Sequence, residues 1–142
     1  MPDVFSKTKR SQIMSKISGK ETKPEILVRK FLFANGFRYR KNDKRFAGKP
    51  DIVLPKYKTI IFINGCFWHG HKDCKAASFP TTNHEFWKNK IEGNARRDHQ
   101  THILLKKQGW RVIVIWQCRI KNKILFEKTM KTLVNRINQS VP

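Results

Sequence analysis

Carboxylates are what this chain has least of: 10 Asp and Glu stand against 31 Lys and Arg in 142 residues, a formal charge of +21. An excess of that size points to a polyanionic partner. Long apolar runs are missing too. None approaches the roughly 18 residues of a membrane span, and Met1-Pro2-Asp3-Val4 lacks the apolar centre of a secretory signal. A soluble, cytoplasmic protein with no membrane partner is the expectation. Cysteine is scarce and odd in number. Three cysteines cannot all pair in disulfides, whereas three thiolates and one imidazole complete a zinc shell. What the chain does have is 39% apolar residues, ten Phe and four Trp among them. That supports one domain, 1–142, with a real core, and excludes a wholly disordered basic tail.

Residues 1–21 read as a basic N-terminal arm in contact with DNA, in which Lys9 and Arg10 sit among Ser and Thr, and Ile13, Met14 and Ile17 recur at roughly helical spacing. Thr22-Lys23-Pro24-Glu25 has the form of a capping box, predicting a helix from about 23 to 35 that stops at Gly36. Its inner face would be Ile26, Leu27, Phe31 and Leu32. Phe37 and Tyr39 alternate with Arg38 and Arg40 as in a half-buried strand, and Asn42-Asp43-Lys44 reads as a turn. Two strands follow, Pro50–Leu54 and Thr59–Ile63, the second apolar throughout and so buried on both faces. Residues 64–83 keep no period and crowd Cys, His, Trp and Pro together, as functional loops do. Asn83 can cap a helix reaching about Lys107, with one of Phe86 and Trp87 turned inward. Trp110–Trp116 is a β-branched and aromatic strand, and residues 122–138 form a last helix with Ile124, Leu125, Leu133, Val134 and Ile137 inward. The order implies an α/β fold, a mixed central sheet flanked by helices.

Three constellations carry chemistry. Asp51 heads an otherwise apolar strand, where a carboxylate can either hold a hard divalent cation or satisfy the amides of the Gly48-Lys49-Pro50 turn. Cys66, Cys74 and Cys118, with His69 or His71, supply a tetrahedral zinc shell or three buried thiols. Phe67-Trp68 and Phe86-Trp87 are adjacent aromatics, suited to a wedge between base pairs or to core filling. Glu25 and Asp98 are weak signals alone, one a capping residue and the other a surface ion-pair partner. The Lys and Arg of 7–23 and 119–136 suggest a phosphate-binding surface.

Gly48-Lys49-Pro50-Asp51, Asn64-Gly65-Cys66-Phe67-Trp68-His69, Glu85-Phe86-Trp87, Arg97-Asp98 and Gly109-Trp110-Arg111-Val112 together resemble the very-short-patch mismatch repair endonucleases, the Vsr family. The resemblance covers nearly the whole chain. It implies a restriction-endonuclease-like fold and strand-specific, magnesium-dependent nicking of duplex DNA beside a T:G mismatch, the lesion left when 5-methylcytosine deaminates. By the same resemblance Asp51 is a magnesium ligand, Ile63 a second one through its backbone carbonyl, and Glu25 an outer-shell acid. His69 is the catalytic histidine and Asp98 the acid that orients it. Cys66, His71, Cys74 and Cys118 hold a structural zinc. Phe67, Trp68 and Trp87 form the wedge beside the mismatch, and Asn64 faces the DNA. The implied partners are double-stranded DNA, a cytosine methyltransferase and mismatch-repair proteins, with the enzyme itself a monomer. The chain has Ile63-Asn64 where the family pattern has Thr-His, and asparagine cannot transfer a proton near neutral pH. Two other functions therefore stand beside this one: a related nicking, restriction-associated or mobile-element endonuclease of other specificity, and a zinc-stapled DNA-binding module without catalysis.

Overall fold

The structure, a computed structural model, describes residues 23–41 and 43–139. The basic arm with Lys9 and Arg10, Thr22 of the capping box and Asn42 of the turn lie outside the described residues.

Helix α1 (Pro24–Ala34) leads to strand β1 (Arg40–Lys41), then β2 (Ile52–Leu54) and β3 (Thr59–Asn64). A long helix α2 (His84–Lys107), strand β4 (Arg111–Trp116) and helix α3 (Lys123–Asn138) complete the chain. The four strands form one sheet in the order β1-β2-β3-β4. The first two pairings are antiparallel and β3 runs parallel to β4, so the sheet is mixed as expected.

Strand alternation divides the core into two. Ile52, Leu54, Ile61, Ile113 and Ile115 face α1 and α3, where they meet Leu32, Phe126, Met130 and Leu133. Val53, Ile60 and Phe62 face α2 and meet Leu105. β3 therefore has buried residues on both faces, as its unbroken apolar run requires.

Five expectations change. α1 begins after Lys23, whose side chain gives no cap, so Glu25 is one position too early for a capping box. Its inward stripe is Leu27, Val28, Phe31 and Leu32, leaving Ile26 partly exposed. Phe37 does not belong to a strand. Gly36 at φ +85° ends α1, with Phe37 N–H donating to Leu32 O and Gly36 N–H to Phe33 O, a Schellman closure that tucks Phe37 into the core and delays β1 to Arg40. In α3 the buried stripe is Phe126, Met130, Leu133 and Ile137, and Ile124, two residues before Phe126, is exposed on the opposite face. Asn83 does precede α2 but lies at φ +56° and makes no side-chain cap.

Candidate active site

The chemistry-bearing residues gather at one end of the sheet, where β3 ends and its antiparallel neighbour β2 begins. The turn leading to β2 is seated on α2: Gly48 has φ +78°, and a Cβ there would lie 2.7 Å from Thr101 Cγ2. Asp51 follows, and its Oδ2 accepts the N–H of Ile63 at 2.7 Å. The ladder explains this bond. Ile52 pairs with Ile61, so two residues further on Pro50 stands opposite Ile63. Proline has no N–H, which leaves the carbonyl of Ile63 without a ladder donor, and the Asp51 side chain takes the Ile63 amide. A carboxylate and a main-chain carbonyl are thus presented side by side. Burial pushes the Asp51 carboxyl above its ordinary range; the Ile63 amide pulls it back, Glu25 raises it further, and Arg29 and His69 lower it. Glu25 on α1 is the other carboxylate whose charge Asp51 feels, and Arg29 Nη2 donates to the Asp51 carbonyl at 3.3 Å. This all-oxygen donor set fits a hard cation such as magnesium.

His69 lies in the loop after β3 and is held by α2: its Nδ1 is 2.6 Å from Asp98 Oδ2. An ionised carboxylate only accepts, so Nδ1 carries a proton, and in the neutral imidazole Nε2 is then the acceptor. Further ties fix the loop. Asn94 Nδ2 donates to Trp68 O at 2.9 Å, and Gly70 at φ +63° comes so close to α2 that a Cβ would meet Ile91 Cγ2 at 3.0 Å.

Beside His69 the aromatic residues form a surface cluster. Phe67, Trp68 and Trp87 stand with ring centroids 5.2, 5.5 and 5.8 Å apart, and Phe86 packs edge-on against Trp87. Trp68 is 50% exposed and Phe86 59%; Trp87, the partly buried one, turns toward Phe67 and not into either core. Asn64, expected to face DNA, is instead 5% exposed at the end of β3.

Cys66, His71, Cys74 and Cys118 converge with all four ligand atoms within 4.8 Å of one another. A tetrahedral shell with Zn–S bonds of about 2.3 Å sets donors about 3.8 Å apart, so this three-sulfur, one-nitrogen set fits zinc. His71 stacks on Trp116 at 4.1 Å, which presents Nδ1 to Cys118 Sγ at 3.5 Å. Burial and the neighbouring Cys66 and Cys74 push the Cys118 thiol up to about 11. At Cys74 burial also raises the thiol, but hydrogen bonds from the Ala76 amide and from Cys66 and Cys118 outweigh it and leave it lowered. His69 is thus separated from the metal set, a choice that spacing left open.

Sequence reasoning missed Arg29, and it met Asn94 only as one of the residues of the family pattern, without its role as a support of this end of the sheet. Neither has a local signal, since their partners lie 22 and 26 residues away.

Relatives named as nicking enzymes and as a mismatch endonuclease align along most of the chain, so it is an endodeoxyribonuclease. A type II nicking enzyme, V.NmeAIP, of Neisseria meningitidis is 54% identical over 141 residues, 99% of this chain and 100% of the relative. Another, V.XorIIP of Xanthomonas oryzae, is 36% identical over 135 residues, 95% and 98% of the two chains. The DNA mismatch endonuclease Vsr of Escherichia coli is 37% identical over 123 residues, covering 87% of this chain and 78% of that one. The family described as DNA mismatch endonuclease Vsr matches residues 2–76. The chain belongs to the Vsr family of nicking endonucleases. No described helix is long and apolar enough to cross a membrane.

Proposed function

We propose that this enzyme nicks one strand of duplex DNA beside a T:G mismatch, with magnesium held by Asp51 and the Ile63 carbonyl and with Glu25 in the outer shell. The observation that carries the reading is the hydrogen-bonded His69–Asp98 pair, whose histidine follows the exposed Trp68 in the chain and acts electrostatically on the Asp51 carboxylate. Bound magnesium would supply Lewis-acid stabilisation of the charge that develops on the phosphate and the leaving 3′-oxygen. Asp98 fixes the tautomer of His69, whose Nε2 takes the proton of the attacking water. Phe67, Trp68 and Trp87 enter the base stack, where unstacking is least costly at a pair that already stacks poorly. Zinc on Cys66, His71, Cys74 and Cys118 ties the loop bearing Phe67, Trp68 and His69 to the end of β4. The basic arm with Lys9 and Arg10 adds phosphate contacts within the single domain 1–142. A cytosine methyltransferase, whose product deaminates to thymine, and mismatch-repair proteins are the partners this reading calls for. With +21 charges keeping copies apart, the enzyme works as a cytoplasmic monomer on the nucleoid.

The test is incubation with magnesium and paired duplexes, matched or containing one T:G. Nicking of the mismatch alone is the expected result. Equal cutting of both would assign a nicking endonuclease of other specificity, and binding without cutting a zinc-stapled DNA-binding module.

His69→Ala should lower the single-turnover rate by roughly 10²–10⁴-fold, the range for a lost acid–base group. Asp98→Asn should act through His69, shifting the acidic limb of the pH–rate profile as well as the rate. A lower rate with an unmoved profile would show that Asp98 serves only structure.

Trp68→Ala should weaken binding to the mismatched duplex more than to the matched one, while the salt dependence set by phosphate contacts stays nearly unchanged. Binding titrations on both duplexes over several salt concentrations measure this. Equal losses accompanied by a lower melting temperature would make Trp68 a packing residue.

A further inference from the structure

β4 is an outer strand of the sheet, and among the described residues no strand pairs with its far edge. Arg111 N–H donates to Lys58 O at 2.8 Å, in register with Thr59 opposite Arg111. The main-chain groups of Arg111, Ile113 and Ile115 therefore point to β3, and those of Val112 and Val114 point outward. Six apolar-rich residues of open edge are a template for another chain, and folded proteins keep such edges covered or blunted.

Along this edge runs a groove of about 430 Å³ between β4 and α3. Ile113, Ile115 and Leu133 form its apolar floor, Arg119, Lys128 and Arg136 supply its charge, and no carboxylate lines it. Asp51 lies on the opposite side of β3, so the groove stands apart from the proposed site of cleavage.

Three occupants can be weighed against these features. A second copy of the chain brings another +21 charges to a cationic wall. Duplex DNA would satisfy the cations but leave the apolar floor and the outward N–H and C=O groups without partners. An extended segment with acidic side chains uses all three, pairing with the main-chain row, filling the floor with alternate residues and meeting the cations with the rest.

We infer that the β4 edge and its groove dock an extended, acidic segment of a partner protein, which adds as a further strand beside β4. The probe is a fluorescein-labelled peptide of about ten residues alternating valine with aspartate or glutamate, added to the full-length, zinc-loaded enzyme. Anisotropy should rise saturably, and hydrogen exchange should slow at the Val112 and Val114 amides without change at Ile113. Thr132→Glu places a carboxylate in the groove wall and should weaken the peptide roughly tenfold or more by like-charge repulsion. The Thr132 hydroxyl bonds only within its own helix, to Lys128 O, so this variant should fold normally. Val114→Pro, which removes an outward N–H, should weaken it as well where the variant folds.

Displacement of the peptide by a plain matched duplex would make the groove a DNA surface and overturn the inference. So would slow exchange at Val112 and Val114 in the free enzyme, which would show the edge already covered by the chain itself. Undiminished binding to Thr132→Glu would place the peptide elsewhere.

Discussion

Asp51→Ala should abolish nicking while leaving DNA affinity nearly intact. The carboxylate is half of the oxygen pair that Pro50 creates by failing to complete the ladder at Ile63, and no other described carboxylate bonds that amide. Removing it takes away the inner-sphere oxygen of the proposed cation site but none of the 31 basic residues. A loss of roughly 10³-fold or more is expected, equivalent to about 4 kcal/mol of barrier. Single-turnover nicking and a binding titration on the same duplex separate the two effects. Substantial residual nicking by the purified variant would move the cation to other ligands.

Asp51→Asn adds a pH test. Burial holds the folded-state carboxyl above its ordinary value of 3.8, so the folded chain binds this proton more tightly than the unfolded one. The stability this group contributes is present below the ordinary value and is lost as pH rises through the raised one. In the absence of divalent cations the asparagine variant should therefore melt at or above the wild-type temperature near neutral pH, though it cannot nick. In the wild type, magnesium competes with that proton, so the magnesium concentration needed for half-maximal rate should fall as pH rises through the same range. A lower melting temperature for Asp51→Asn would mean that the ionised carboxylate stabilises the fold, contrary to its burial.

What could be read in the sequence depended on how local its cause was. β3 and β4 were legible because Ile60–Ile63 and Val112–Ile115 are apolar and mostly β-branched; the observed bounds differ by one residue each, β3 gaining Asn64 and β4 losing Trp110. Phe37 was misread because alternation with Arg38 looks like a strand, whereas Gly36 at positive φ folds Phe37 back onto α1. Ile26 and Ile124 were misread because an apolar residue in the first turn of a helix need not lie on its buried stripe. The metal quartet was legible by counting: three cysteines and one nearby imidazole suit one ion, but which histidine joined them was decided by His71 stacking on Trp116. The pairing of His69 with Asp98 spans 29 residues and could come only from family resemblance or from the fold. The freed carbonyl of Ile63 has no local signature either and could come only from family resemblance or from the fold. It follows from which residue stands opposite it, and register is a property of two strands.

Zinc should copurify at one ion per chain, and Cys118→Ser should lose it together with much of the stability. Cys66, His71 and Cys74 belong to one loop, so Cys118 is the one ligand of the four that comes from the chain just after β4. Structural zinc binding in zinc-finger peptides is worth about 10–16 kcal/mol. Here two apolar cores flank the sheet and include none of the four ligands, so only part of such a contribution is at stake. A loss of at least ~3 kcal/mol is expected, which for a chain of this size lowers the melting temperature by roughly 10 °C. The damage should be local before it is global. The loop carries Phe67, Trp68 and His69, so nicking and mismatch preference should fall at temperatures where the sheet is still intact. Metal analysis, melting curves and nicking at several temperatures test this together. A folded, active preparation without zinc would refute the structural role. A variant that keeps its zinc would show that the other three ligands suffice and that the tie to β4 is made by the stacking of His71 on Trp116.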